Sequence, residues 1–453
     1  FRSSRKTMKR LLSVLVVCLL LLPCIAQAES GELSAAPRDF LELLYQGEFE
    51  TVFDSSTADM QDALGSADDF AAAWAQLEMS FGAYEEILSS TAQEQAGYIV
   101  GTIVCSYEYV DATFNVTVTA DGLLAGLFVA SVTLKAEESA ADQTQFVTEE
   151  ITLRAGEADE TQGILTLPNG EGPFPAVIMM QGSGPSDMNE TAYGITPFRD
   201  IAEGLALSGV ASIRYDKYTY AHTDLLAADP ALLATFTIAE EYIVDAGDAL
   251  ALLQADERIG DIYLLGHSLG AMIVPRAMQT LGADSFAGGV LLEGSPLPLW
   301  EIQYRQNLML LPSLSIDERP AAREQIDAEA AKLEQLQTLS DEELQSATFF
   351  GVSAYYQMDE MSVNAGETAI ALSKPLLIVQ GGKDWQVTTE DGLDAWKTAL
   401  ADQTFAEYLC YPDLNHMLCE METDPTGTTS DYQAGDTVSQ ALIGDIAAWI
   451  LGQ

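Results

Sequence analysis

Histidine is scarce in this chain: there are three in 453 residues. Any chemistry that needs a cluster of imidazoles is therefore excluded, and no Cys/His group has the spacing of a metal site. Cysteine is scarce too. Five are present, and Cys18 and Cys24 fall in an apolar N-terminal stretch. The other three, Cys105, Cys410 and Cys419, are too few for a disulfide scaffold; Cys410 and Cys419 bracket His416, and either staple its loop or, like Cys105, stay unpaired. Positive charge is the third shortage. Twenty Lys and Arg stand against 69 Asp and Glu, a formal net charge of −49. Such a surface repels nucleic acid, anionic membranes and polyanionic substrates, and otherwise reads as an adaptation for solubility. Long apolar runs are also missing. The longest, Leu11 to Leu22, is shorter than a membrane span, follows the basic start Met8-Lys9-Arg10 and precedes Ala26-Gln27-Ala28. That pattern predicts upstream residues and a signal peptide over 1–28, cleavage near Ala28, and an exported protein, secreted or held at the cell envelope, without stable membrane insertion.

What is present centres on Gly266-His267-Ser268-Leu269-Gly270, which follows the apolar run Ile262 to Leu265. A G-x-S-x-G after a strand reads as a sharp strand-to-helix turn that lifts the serine hydroxyl clear of a sheet. A serine nucleophile needs a base. His267 is the serine's own neighbour in that turn, and His222 lies upstream, whereas this motif runs serine, acid, histidine along the chain. His416, in Asp413-Leu414-Asn415-His416, remains. The acid belongs after the preceding buried strand, Pro375 to Gln380, whose end at Gly381-Gly382-Lys383-Asp384 places Asp384 where open parallel sheets keep their chemistry. Asp391 and Asp394 fall on an expected helix over 390–401, and Asp413 is very close in sequence to the histidine.

Two regions differ in pattern. Over residues 35–145, Arg38–Tyr45, Phe49–Leu64 and Ala67–Phe81 carry apolar residues at helical spacing, followed by strand signals at 99–104, 112–118 and 123–132 with a turn at Asp121-Gly122. This predicts a small α+β domain, with polar residues 135–144 as a linker. Over 147–453, an opening hairpin (151–154, 163–167) leads into strands at 176–180, 211–215, 262–265, 289–292, 376–379 and 405–409, separated by helical segments. A mostly parallel sheet covered on both faces follows. Between Leu292 and Pro375 the chain inserts roughly eighty residues, far beyond an ordinary connection. Ala321–Leu339 in it reads as a charged helix with a thin apolar stripe, flanked by Trp300, Tyr304, Phe349, Phe350, Tyr355 and Tyr356.

The run Gly172 to Val177, the segment Gln181-Gly182-Ser183-Gly184-Pro185-Ser186-Asp187, Arg214-Tyr215-Asp216-Lys217, the serine turn, Gly381 to Asp384 and Asn415-His416 together resemble the α/β-hydrolase superfamily. The resemblance is to exported esterases of the dienelactone-hydrolase and serine-aminopeptidase-like group, and residues 35–145 resemble the NTF2-like domain of unknown function that precedes such enzymes. It implies an α/β-hydrolase sheet with a helical lid over about 296–373. It implies Ser268, Asp384 and His416 as the catalytic triad, with the N–H groups of Leu269 and Ser183 as the oxyanion hole. Gln181 and His267 are expected pocket residues, and Tyr355 and Tyr356, with the other aromatics of the insertion, either line an acyl or aryl pocket or form the lid's own core. Gln181 stands where the family has histidine, and Tyr218-Thr219-Tyr220 replaces the usual Arg-Gly. The implied activity is a cofactor-free, metal-free serine carboxylesterase acting on small to medium acyl or aryl esters. A serine peptidase or aminopeptidase of the same fold is the alternative, since the same triad cleaves amides. A non-catalytic binding protein on this fold is a third reading.

Overall fold

The protein is described by a computed structural model over residues 35–95, 98–107, 110–134, 145–313, 316, 319–333, 336–401, 403–433 and 435–453. The expected signal peptide and linker lie outside the described residues. No described helix is long and apolar enough to cross a membrane. The chain divides into two compact units. One holds residues up to Glu138 with 193–195 and 432–435, and the other holds the rest.

The first unit opens with α1 (Ala36–Tyr45), α2 (Phe49–Asp54), α3 (Ala58–Leu64) and α4 (Ala67–Phe81). The expected single helix over 49–64 is broken. Ser56 turns its hydroxyl back to the Val52 carbonyl at 2.8 Å, and Thr57 caps the restart by accepting from Met60 N–H at 3.3 Å. A meander follows: β1 (Tyr84–Gln95), β2 (Tyr98–Tyr107), β3 (Val110–Thr119) and β4 (Leu124–Leu134), antiparallel in the order 1-2-3-4. β3 alternates buried and half-buried residues along its length, and its inner face (Ala112, Phe114, Val116) packs with Leu41, Leu44, Val52 and Trp74. β1 was not expected. Its sequence, YEEILSSTAQEQ, has no apolar alternation, because an edge strand can be held by ladder hydrogen bonds to β2 with little burial of its own.

The second unit is built on an eight-stranded sheet of β5 (Phe146–Leu153), β6 (Thr161–Pro168), β7 (Phe174–Met180), β8 (Ala211–Tyr215), β9 (Ile259–His267), β10 (Gly288–Leu292), β13 (Leu376–Gly381) and β14 (Ala406–Tyr411). Two two-residue strands, β11 (Thr348–Phe349) and β12 (Val352–Ser353), pair in the insertion. The sheet order is β14-β13-β10-β9-β7-β8-β6-β5, and β6 runs opposite to the other seven strands. From β7 the chain steps outward to β8, then returns to place β9 on the other side of β7. The loops leaving β7 and β9 thus meet at a reversal of winding, where open sheets bind ligands. Both faces are covered. Ile178 and Met180 pack with Leu250 and Ala246 of α6 (Val244–Ala255) and with α7 (Leu269–Leu281). Val177 and Met179 pack with Phe198 and Ile201 of α5 (Pro197–Leu207) and Ile446.

The insertion between β10 and β13 contains α8 (Leu299–Met309), α9 (Arg319–Leu333), α10 (Asp341–Ser346), α11 (Ala354–Met361) and α12 (Ala365–Leu372). The helix expected over 321–339 ends at Leu333, and Leu336–Thr338 form a separate 3-10 turn. Ile326, Leu333 and Leu336 of the expected stripe are buried.

Candidate active site

Ser268 is the last residue before α7, at φ 53° and ψ −119°, a strained backbone conformation for a residue with a side chain. The turn is possible because its flanking residues are glycine. A Cβ on Gly266 would lie 2.3 Å from the Gly270 carbonyl carbon, and one on Gly270 would lie 2.1 Å from the Met180 carbonyl oxygen. The serine turn is thereby pressed against the loop leaving β7, where a Cβ on Gly182 would approach Ser268 Cβ to 3.1 Å.

Asp384 follows the end of β13, and its Oδ1 accepts from the N–H groups of Gln386 at 2.7 Å and Val387 at 3.0 Å. Its Oδ2 accepts from His416 Nδ1 at 2.7 Å, and both side chains are buried. A ring whose Nδ1 carries the proton offers a lone pair at Nε2. His416 Nε2 and Ser268 Oγ each lack a hydrogen-bond partner among the described residues, so both are left available for chemistry. Asp413, a rival acid, is paired with Lys383 at 3.0 Å, and Asp391 is held by Arg305 and by Thr388 at 2.9 Å. His222, the rival base, is half-buried beside Tyr218 and Thr161.

The loop after β7 is braced by Glu190, with His267 behind it. Glu190 Oε1 accepts from Gly182 N–H at 2.6 Å and faces His267 Nδ1 at 2.9 Å. His267 Nε2 lies 2.8 Å from the His416 carbonyl, which can only accept, so Nε2 carries a proton. Burial pulls the His267 pKa down, but Glu190 more than offsets this and leaves it above its usual value. His267 is therefore a strut between Glu190 and the loop that carries His416. Leu269 N–H, first in α7, has no acceptor within the helix. Ser183 N–H has none among the described residues, whereas Gly182 N–H is taken.

Residues 194–424 match a family described as serine aminopeptidase, S33. The chain is also 30% identical over 385 residues to Esterase EstD of Thermotoga maritima, covering 83% of this chain and 86% of that protein. The chain belongs to the serine aminopeptidase (S33) family of α/β-hydrolases. Residues 38–127 match a family described as a protein of unknown function, DUF3887. Among solved structures, the chain is similar to Est1E from Butyrivibrio proteoclasticus at TM-score 0.43 and 15% identity, over 67% of this chain and 99% of that one. It is similar to an esterase of Pyrococcus furiosus at TM-score 0.38 and 14% identity, over 60% of this chain and 83% of that one.

In this S33 member the expected pocket residues are differently employed. The amide of Gln181 donates to the carbonyls of Tyr215 and, at 3.3 Å, Asp187, so it ties down the loop instead of facing a cleft. His267 is the strut described above. Tyr356 is buried in the main core with its hydroxyl donated to Glu241 Oε2 at 2.5 Å, and Tyr355 packs in the insertion's own small apolar cluster. Polar atoms already satisfied by protein have nothing to offer a substrate.

Glu293, at the end of β10, was not singled out from sequence. It is fully buried at φ 50°, accepts from Gly381 N–H at 2.6 Å and from Gln380 Nε2 at 2.5 Å, and lies within 4.8 Å of Asp384 and His416. Burial and the neighbouring Asp384 hold its carboxyl well above the usual range. The three groups are close enough to hold a cation, but their oxygens already accept backbone, amide and imidazole donors, a set that fits a hydrogen-bonded network. A charged residue at the carboxyl end of a buried strand, as at Asp384, was the signal available for Glu293.

Proposed function

We propose that this S33 protein is an exported serine carboxylesterase that cleaves small to medium acyl or aryl esters. One observation carries the reading: Ser268 sits on a strained turn at the sheet's switch point, its neighbour His267 meets the His416 carbonyl at 2.8 Å, and the His416 ring is tied through Nδ1 to a buried aspartate at 2.7 Å. Ser268 Oγ attacks the ester carbonyl and gives its proton to His416 Nε2, while Asp384 steadies the imidazolium. The carbonyl oxygen becomes an oxyanion that accepts from Leu269 N–H and Ser183 N–H. His416 then protonates the departing alcohol, and water, activated by the same histidine, releases the acid and restores Ser268. The insertion over 296–373 serves as the lid. Supporting this, Gln306 of α8 donates to the Gln386 carbonyl at 3.0 Å and Arg305 pairs with Asp391, which fastens α8 to the loop that carries Asp384.

The test is covalent labelling with a fluorophosphonate, followed by turnover of aryl esters and of aminoacyl anilides. Labelling confined to Ser268 with ester turnover is the expected result, and absence of labelling refutes the reading. The matched family's description favours a second reading, an aminopeptidase, which faster turnover of the anilides would establish.

A further inference from the structure

Lys217 is fully buried, and the triad makes no use of it. Its Nζ lies 2.7 Å from the Gly182 carbonyl, 2.7 Å from Tyr242 Oη and 2.8 Å from Glu241 Oε1, with the Gly184 carbonyl further off at 3.2 Å. An ammonium has three protons, and three close acceptors receive them. Tyr242 Oη spends its own proton on the same Gly182 carbonyl at 3.0 Å, which fills both lone pairs of that oxygen. Burial lowers the lysine's pKa while Glu241 pulls it upward, and burial pushes the Tyr242 hydroxyl well above its usual value, so that hydroxyl stays a donor. Glu241 is itself held by Tyr356 of α11 at 2.5 Å.

The Gly182 carbonyl belongs to the same peptide plane as Ser183 N–H. In a trans peptide the two bonds point in opposite directions, so the direction of one sets the direction of the other. We propose that Lys217 and Tyr242 are positioning residues for the oxyanion hole: by clamping the Gly182 carbonyl they aim Ser183 N–H toward the side where the oxyanion forms. The clamp also polarises that peptide, which strengthens its N–H as a donor. It acts without touching substrate, and its worth appears only as charge develops on the substrate oxygen. This deepens the esterase reading and rests on it.

The experiment compares the full chain with its Tyr242→Phe and Lys217→Met variants. Three quantities are read: kcat and KM for p-nitrophenyl acetate, the Ki of an aryl trifluoromethyl ketone, and thermal melting. The ketone adds Ser268 Oγ and becomes an oxyanion, so its affinity reports the hole directly. In Tyr242→Phe, which removes one oxygen atom, kcat should fall about tenfold with KM within about twofold, and the ketone's Ki should rise in step with the loss. Lys217→Met should lose more. A folded Tyr242→Phe with unchanged kcat and Ki, or with a loss confined to KM, overturns the proposal. A wild-type chain that neither labels at Ser268 nor cleaves esters instead overturns the esterase reading beneath it.

Discussion

At the scale of single residues, the site is a set of buried polar groups whose partners leave only a few atoms free. Ser268 Oγ, His416 Nε2 and two backbone N–H groups are among those atoms, together with Glu190 Oε2 and Trp385 Nε1. Replacing Ser268 or His416 with Ala should each lower kcat by about 10³-fold or more, with the double variant little worse, because the pair acts as a unit. Steady-state kinetics on an aryl acetate decides this. A His416→Ala protein with near-normal turnover would move the base elsewhere. Glu293 supports a second prediction. Burial and Asp384 push the Glu293 carboxyl upward and so disfavour its charge, and Glu293→Gln, which removes that charge, should keep kcat/KM within about threefold near neutral pH. Glu293→Ala strips the partners from Gly381 N–H and Gln380 and should cost about tenfold or more. If the amide variant fell as far as the alanine variant, the negative charge of Glu293, and not its hydrogen bonding, would be what matters.

At the scale of elements, the insertion is fastened to the sheet domain by polar contacts. α11 pairs Asp359 with Arg276 of α7 at 2.9 Å, gives Tyr356 to Glu241, and buries Glu360, which accepts from Leu299 N–H of α8 at 3.3 Å. Burial pushes the Glu360 carboxyl up to about 7, with Leu299 N–H and Arg276 opposing. The folded state therefore keeps a proton that the unfolded chain releases near pH 4.5. The stability tied to that proton is whole below about pH 4.5 and is lost as pH rises toward 7. Glu360→Gln, which cannot ionise, should match the wild type in acid and become the more stable of the two above pH 7. Denaturant melts at pH 4.5, 6 and 8 would read this, and a constant gap between the proteins at all three would contradict it.

At the scale of the whole molecule, the charge of −49 dominates. Self-repulsion on this scale opposes compaction and is screened by salt, with a Debye length near 30 Å at 0.01 M and 3 Å at 1 M. The melting temperature should therefore climb steadily between about 10 mM and 1 M NaCl. A flat response would mean that the acidic groups are already neutralised in the fold by their proton uptake or their pairing.

The sequence alone was enough for features that depend on neighbours along the chain. A serine between glycines after an apolar run specifies a strand, a tight turn and a helix. The alternation of short apolar strands with helical segments specifies the parallel sheet, and the order of Ser268, Asp384 and His416 follows from where their strands end. Local rules also located the two-region division of the chain. Burial of charge is not local, and there only the tertiary structure decided. The burial of Lys217, Glu190 and Glu293 emerges only when β7, β8, β9, β10 and β13 are laid side by side and their partners appear. The same holds for Gln181, His267 and Tyr356, which were expected to line a substrate pocket but whose hydrogen bonds go to other parts of the chain. β1 was hidden for a related reason: an edge strand is defined by the neighbour it pairs with, and that neighbour is absent from its own twelve residues.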